Sequence, residues 1–392
     1  MKIVFISNYI NHHQKPFSDH MYSILGSNYC FIQTEPMEEE RVNMGWGLDV
    51  TQIPYVIELQ KDEDKARVRI EEADAVIFGG TERFDLIRKR MDDNRLTFIN
   101  SERIYKEGQW KFISPKGLVR KYKDYIKYRK KNIFLLCCGA YVASDFHLIH
   151  AFPDKMLKWG YFPPFMPEDI ENVIHAREKQ MDSTGVTELI WAGRMIELKH
   201  PEHAIETVRL LVEEGYSVHL TMAGAGAMEE ELKKTVEEHK LNQNITFTGF
   251  CKPEEIREYM RKASVFIFTS NFIEGWGAVL SEAMNSGCAV VSSRAAGATG
   301  FLVQDGYNGF SFPYKKFPEL YEKVKYLLDN KEARCLFSKK AYDTIAYSWN
   351  AHIAAERMLV FCERFMETGR ISYEAEGILS PAKPIRPGKT LD

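Results

Sequence analysis

The feature that most constrains this chain is a rhythm of short, unbroken apolar runs that occurs once, stops, and starts again. In the first half the runs are KIVFIS (2–7), YCFIQT (29–34), ADAVIFGG (73–80), RLTFIN (95–100) and NIFLLCC (132–138), separated by polar stretches with helical spacing. After residue 185 the pattern resumes with TELIWAG (187–193), SVHLTMAG (217–224), NITFTGF (244–250), ASVFIFTS (263–270) and CAVVSSR (288–294). A strand covered on one face alternates apolar and polar residues, whereas a continuously apolar strand is covered on both. Alternating with helices, such strands make a parallel sheet between helical layers. PEHAIETVRLLVEEG illustrates the helices, opening with Pro201 and ending at Gly215. The fold class expected is therefore α/β, with two doubly wound domains in tandem. At 392 residues the chain also exceeds what one hydrophobic core usually serves.

Prolines mark the joint: FPPFMPEDIENV (162–173) is the best linker in the chain. The organisation expected is an N-terminal domain over 1–165, a linker over 166–186, a second domain over 187–348, a helix over 349–372 that packs back on the first domain, and a poorly ordered, proline-dotted tail over 373–392.

Composition narrows the classes. Hydrophobic residues at 45%, charged residues at 27% and a formal net charge of −3 describe a soluble globular protein with no global pull toward nucleic acid. The seven cysteines form no metal-type C-x-x-C pair, and adjacent Cys137 and Cys138 sit in an apolar run as small buried hydrophobes, which suits a reducing compartment. No run reaches the roughly 18 apolar residues of a membrane helix, and the N-terminal one is short for a signal peptide. A cytoplasmic location is expected.

In open parallel sheets ligands bind beyond the carboxyl ends of the strands. Three loops of the second half leave such ends. GRMIELKH carries Arg194 and Lys199; GAGAME is a tight glycine turn, with Glu229 where a dinucleotide fingerprint needs a third glycine; EGWGAVLSEAM (274–284) sets Glu274 and Glu282 around a turn that runs into a helix. A nucleotide-linked sugar suits this set. Its diphosphate would take Arg194, Lys199 and the helix-start amides of Gly275, Trp276, Gly277, Ala278 and Val279. From Gly277 to Glu282 the helix rises roughly 7–8 Å, so Glu274 would face the hexose and Glu282 the ribose.

AGRMIELKH, MAGAG, ITFTGF, the Glu274-to-Glu282 segment, EAMNSGCAVVSS and DGYNGF, in order between about 187 and 312, resemble the retaining GT-B glycosyltransferases of family GT4, a group that includes capsule, exopolysaccharide and lipopolysaccharide transferases. The resemblance implies two Rossmann-like domains facing across a cleft, a C-terminal helix crossing back to the N-terminal domain, and sugar transfer from a nucleotide-diphosphate donor to an acceptor hydroxyl with retained anomeric configuration. It implies no cofactor and no metal. By position it makes Arg194 and Lys199 the diphosphate pair, Glu274 the sugar contact and Glu282 the ribose contact. Relatives often have a glycine-rich loop after the first strand, where this chain has SNYINHHQKPF. They often have a histidine near the end of a later strand, where it has CCGAYVASDF. His12 and His13 are candidates for an acceptor-facing role in their place, His13 first.

KGLVRKYKDYIKYRKK (116–131) holds eight Lys/Arg against one Asp, with Leu118, Val119, Tyr122, Tyr125 and Ile126 at helical spacing. Two readings stand: a helix resting on anionic lipid headgroups, or one packed by its apolar edge on the sheet. Partners expected are a nucleotide sugar, a carbohydrate or lipid-linked acceptor and, on the first reading, an anionic membrane surface. A GT-B-fold sugar-nucleotide epimerase and a two-lobed ligand-binding protein remain as alternatives. The donor's base and sugar leave no trace in the sequence.

Overall fold

The computed structural model describes residues 1–38 and 47–385. The chain divides into two compact units: Met1–Pro164 with Trp349–Ile385, and Phe165–Ser348.

The first unit contains β1 (Ile3–Ser7), β2 (Tyr29–Gln33), β3 (Val56–Glu58), β4 (Ala75–Gly79), β5 (Thr97–Ser101), β6 (Ile133–Cys138) and β7 (Met156–Trp159). They form one parallel sheet in the order β3-β2-β1-β4-β5-β6-β7, in which Ile3 pairs with Tyr29 on one side and Ala75 on the other. β1, β2, β4 and β6 are buried at every position, as strands covered on both faces must be. The segment expected to pack back on this domain is the helix Ala351–Thr368. Its Phe361 ring lies 5.5 Å from Phe98 and 5.1 Å from Phe134, and Phe365 lies 5.7 Å from Phe134.

The second unit contains β8 (Thr187–Ala192), β9 (Val218–Ala223), β10 (Ile245–Gly249), β11 (Val265–Phe268), β12 (Ala289–Ser293) and β13 (Phe310–Phe312). Their order is β10-β9-β8-β11-β12-β13, again all parallel. Leu189, Trp191, Leu220, Met222, Val265, Ile267 and Val291 point to one face, where Ile205, Val208 and Leu211 of the helix Glu202–Glu213 and Leu320, Val324 and Leu327 of the helix Phe317–Asp329 cover them.

Two expectations need correction. Most of the stretch read as a linker is a helix, Ile170–Thr184, integral to the second unit. Its Asp169 caps the amide of Asn172 at 3.2 Å, and the buried Arg177 donates to the carbonyls of Met260, Arg261, Ser286 and Gly287 at 2.5–2.9 Å. One guanidinium thus satisfies the open carbonyls at the ends of two helices, Pro253–Lys262 and Ala278–Asn285. Prolines at 163, 164 and 167 mark only the approach to it. The tail is also not loose as far as Ile385. Leu379 donates to the Lys158 carbonyl at 2.9 Å, Lys158 to Ser380 at 2.8 Å and Ala382 to Met156 at 2.8 Å, so the segment pairs antiparallel with the outer edge of β7. An unpaired edge is a liability in any sheet, and polar composition gave no hint of this use. Residues 386–392 of the tail lie outside the described residues.

The basic stripe forms the helix Pro115–Asp124 followed by a short turn. Tyr125 anchors it, its ring against Phe84, Phe146 and Phe152. Tyr125 is thus the inward end of the apolar edge, and the rest of it on the helix faces outward: Val119 is 56% exposed and Tyr122 57%, with Trp110 at 68% and Ile113 at 65% just before the helix.

Candidate active site

Strand order reverses direction between β8 and β11 in the second sheet, and the loops leaving those two strands flank the switch point where doubly wound folds bind ligands. The loop after β8 runs from Gly193 through a single turn at Glu197–Lys199. It is stitched to the loop after β9: Gly193 donates to the Ala223 carbonyl at 2.9 Å, Met195 to Ala225 at 3.0 Å and Met228 back to Met195 at 3.0 Å. A Cβ on Gly224 would stand 2.0 Å from the Gly193 carbonyl oxygen. The glycines of GAGAME therefore serve close packing of two loops.

The loop after β11 closes the other side. Thr269 Oγ1 accepts from Trp191 Nε1 at 2.9 Å and donates to the Lys199 carbonyl at 2.5 Å, and the Asn271 amide donates to the Leu198 carbonyl at 2.9 Å. Asn271 then shapes the turn, its Oδ1 accepting from Ile273 at 2.9 Å and its carbonyl from Glu274 at 3.1 Å. This framework sets the Lys199 ammonium against the Glu274 carboxylate in an ion pair, with Ser270 Oγ 3.3 Å from the same oxygen. Both side chains are largely shielded, 14% and 15% exposed. Lys199 Nζ also lies 5.8 Å from the centre of the Phe268 ring.

Gly277 completes the corner. It has φ 93° and begins the helix Ala278–Asn285 without a side-chain cap; a Cβ there would meet Phe268 Cζ at 2.5 Å and Glu274 Cγ at 3.5 Å. Lys199, Glu274, Phe268 and the helix start therefore share one corner, with the first helix amides pointing out of the helix as at every N-terminus. Gly275, Trp276 and Gly277 are buried, Ala278 and Val279 partly exposed. Arg194 is exposed; its carbonyl accepts from the Ile196 amide at 2.9 Å, and its guanidinium has no hydrogen bond or ion pair among the described residues. Glu282 lies farther along the helix. Burial pushes its carboxyl up to about 7, against the lowering pull of Arg257.

Sequence reasoning missed Phe268, Thr269, Ser270 and Asn271. The polar cluster TSN directly after an apolar strand was the available signal.

His13 belongs to the first unit, after β1. Its ring lies 3.8 Å from that of His12 and stacks at 6.0 Å on Tyr161, whose hydroxyl donates to Glu102 at 2.6 Å; Glu102 in turn pairs with Lys106. These groups gather after the carboxyl ends of β1, β5 and β7.

Two all-parallel doubly wound units, with the site corner at a switch point, define the class: the fold is that of the GT-B glycosyltransferases. HepE of Anabaena, solved in complex with UDP, superposes with a TM-score of 0.68 at 14% identity, covering 93% of this chain and 100% of that one. More particularly, residues 175–344 match the family described as Glycosyl transferases group 1. Among its relatives are the poly(glycerol-phosphate) alpha-glucosyltransferase of Bacillus subtilis, 30% identical over 150 residues, and the amylovoran biosynthesis glycosyltransferase AmsK of Erwinia amylovora, 31% identical over 130 residues. The matched segments are 38% and 32% of this chain and span 22% and 32% of those two proteins.

Proposed function

We propose that the protein is a retaining glycosyltransferase that moves a hexosyl-type sugar from a nucleotide-diphosphate sugar to an acceptor hydroxyl in cell-surface polysaccharide or glycolipid synthesis. The observation that carries the reading is the Lys199–Glu274 pair set against the helix start at Gly277. A nucleoside diphosphate leaving a sugar gathers negative charge on its β-phosphate. Arg194, Lys199 and the amides of Gly275 to Val279 are the groups that lower the energy of that charge. A diphosphate arriving here competes with Glu274 for Lys199, and the released carboxylate becomes an acceptor for sugar hydroxyls. Glu282 is assigned to the ribose and His13 to the acceptor side. The leaving phosphate accepts the acceptor's proton, so no strong protein base is needed. The UDP bound to HepE makes a uridine donor the first to try.

The exposed apolar and basic face around the helix Pro115–Asp124 supports a further part of the reading, peripheral contact with an anionic membrane carrying a lipid-linked acceptor. No helix among the described residues is long and apolar enough to cross a membrane.

The deciding experiment screens UDP, GDP, ADP and CMP sugars by thermal shift, since a ligand that binds only the folded protein raises its melting temperature. Product analysis of the best donor, with and without added acceptors, follows. A single nucleotide class that stabilises the protein and yields a glycoside of unchanged anomeric configuration is expected. An isomerised donor formed without acceptor overturns the assignment in favour of an epimerase.

A further inference from the structure

Beside the candidate active site, on the same loop, stands a cluster that the glycosyl-transfer reading leaves unused. The sequence Lys199-His200-Pro201-Glu202-His203 turns from the end of the β8 loop into the helix Glu202–Glu213. His200 has φ 46°, a conformation rare outside glycine, and its carbonyl accepts from the His203 amide at 3.2 Å. That turn stacks the two imidazoles 5.1 Å apart at 11°. His200 Nδ1 lies 2.8 Å from Glu202 Oε1, and His203 Nε2 lies 3.9 Å from the same oxygen. One ligand atom from each of the three residues falls within 4.8 Å of the others.

Two polar atoms of the cluster, Glu202 Oε2 and His203 Nδ1, are buried and find no hydrogen-bond partner. Buried polar atoms are nearly always satisfied. Neither orphan belongs to the close set of His200 Nδ1, Glu202 Oε1 and His203 Nε2, but a carboxylate binds a metal through either oxygen and an imidazole through either nitrogen, so a cation reached by turning these side chains supplies the missing partner. Two imidazole nitrogens and one carboxylate oxygen suit zinc and its transition-metal neighbours, whereas magnesium and calcium prefer oxygen alone. Ligands at ~2.1 Å from a tetrahedral metal are about 3.4 Å apart, so rotation of these partly exposed side chains suffices to close the site.

We propose that His200, Glu202 and His203 form a binding site for a transition-metal ion of the zinc class, leaving one position open to water. Asn271 serves as its outer partner, with Nδ2 3.2 Å from His200 Nε2. Coordination through His200 Nδ1 leaves the ring proton on Nε2, so the Asn271 carboxamide must turn its oxygen to the ring and release the Ile273 amide it now holds at 2.9 Å. Metal binding thereby acts on the turn that carries Glu274.

The test needs neither donor nor acceptor. Full-length protein, freed of metal by dialysis against a chelator, is titrated with zinc in competition with a chromophoric chelator. Its melting temperature is followed with and without zinc. One tight equivalent is expected, with a melting-temperature rise that excess magnesium does not reproduce. Glu202→Gln and the double variant His200→Asn/His203→Ala, in which asparagine tolerates the positive φ, each lose that equivalent by at least tenfold in affinity and lose the zinc-induced rise. Zinc bound with undiminished affinity and stoichiometry by the double variant, or displaced by magnesium, overturns the proposal. So does wild-type protein that binds no zinc.

Discussion

At the scale of single residues, the decisive contact joins positions 75 apart in sequence: Lys199 at the end of one loop and Glu274 at the end of another. Type and position made both residues binding candidates in the sequence, but their pairing was not legible. Spacing along a chain says nothing about which of two neighbouring loops a flexible lysine will choose, and a carboxylate beside it at low exposure is the strongest local attraction. If the pair is a ligand exchange point, Glu274→Gln leaves Lys199 free for phosphate. UDP should then bind at least as tightly as to the wild type by titration calorimetry, while transfer falls by about 100-fold because a sugar contact is lost. Lys199→Ala should instead weaken UDP by about 10–100-fold, the loss of one charge-assisted bond. Weakened UDP binding in Glu274→Gln would count against the exchange.

Glu282 supplies a second residue-scale prediction. Its carboxyl is raised in the fold to about 7, so the folded protein holds this proton more tightly than the unfolded chain. A raised pKa means that the contribution is fully present below the unfolded value near 4.3 and is lost as pH climbs through about 7. Glu282→Gln carries no such titration. Denaturation midpoints of the two proteins should coincide below about pH 4 and separate toward pH 8, where the variant is ahead by about 3–4 kcal/mol. Parallel pH profiles would show that the carboxyl is not crowded as described.

At the scale of elements, the long buried strands were legible because burial on both faces writes a continuous apolar run, and those runs bracket the strands found. β3, β7 and β13 were not, since three or four residues such as VIE, MLKW and FSF hold too few positions to show a pattern. The helix Ile170–Thr184 was hidden for a different reason: the prolines before it and its mostly polar surface read as linker, and the buried Arg177 that secures it is itself a polar residue. The helix Pro115–Asp124 shows the converse, an apolar edge legible in sequence but facing outward. Lys116 and Lys123 on it are exposed with no ion pair among the described residues, whereas Arg120 pairs with Glu82 and Lys121 lies over the Tyr105 ring. Cosedimentation with vesicles should therefore depend on both chemistries. Binding is expected to anionic but not to neutral vesicles. It should weaken about 30-fold in Lys116→Ala/Lys123→Ala, at about 1 kcal/mol per cation near the surface, and also weaken in Trp110→Ala/Tyr122→Ala. Equal sedimentation with both vesicle types sinks the membrane reading.

At the scale of the whole molecule, the two units differ in how the chain builds them. Phe165–Ser348 is one uninterrupted segment, while the first unit needs two, Met1–Pro164 and Trp349–Ile385. The returning segment is structural in two ways. Ala354, Ala355, Met358, Leu359, Phe361 and Cys362 of its helix are buried in the first unit, and residues 379–382 pair with the edge of β7. Burying a Met, Leu or Phe side chain contributes about 1.5–3 kcal/mol each, so losing this helix removes a share comparable to the 5–15 kcal/mol that typically holds a domain together. It also uncovers Phe98 and Phe134 and leaves a strand edge open to association. Residues 165–348 expressed alone should give a monomeric, cooperatively melting domain. Residues 1–164 alone should aggregate, and co-expression with 349–385 should restore a soluble complex. A dispersed amide spectrum from residues 1–164 alone would mean that the first sheet closes its core without the returning helix, and that the segment's role lies elsewhere.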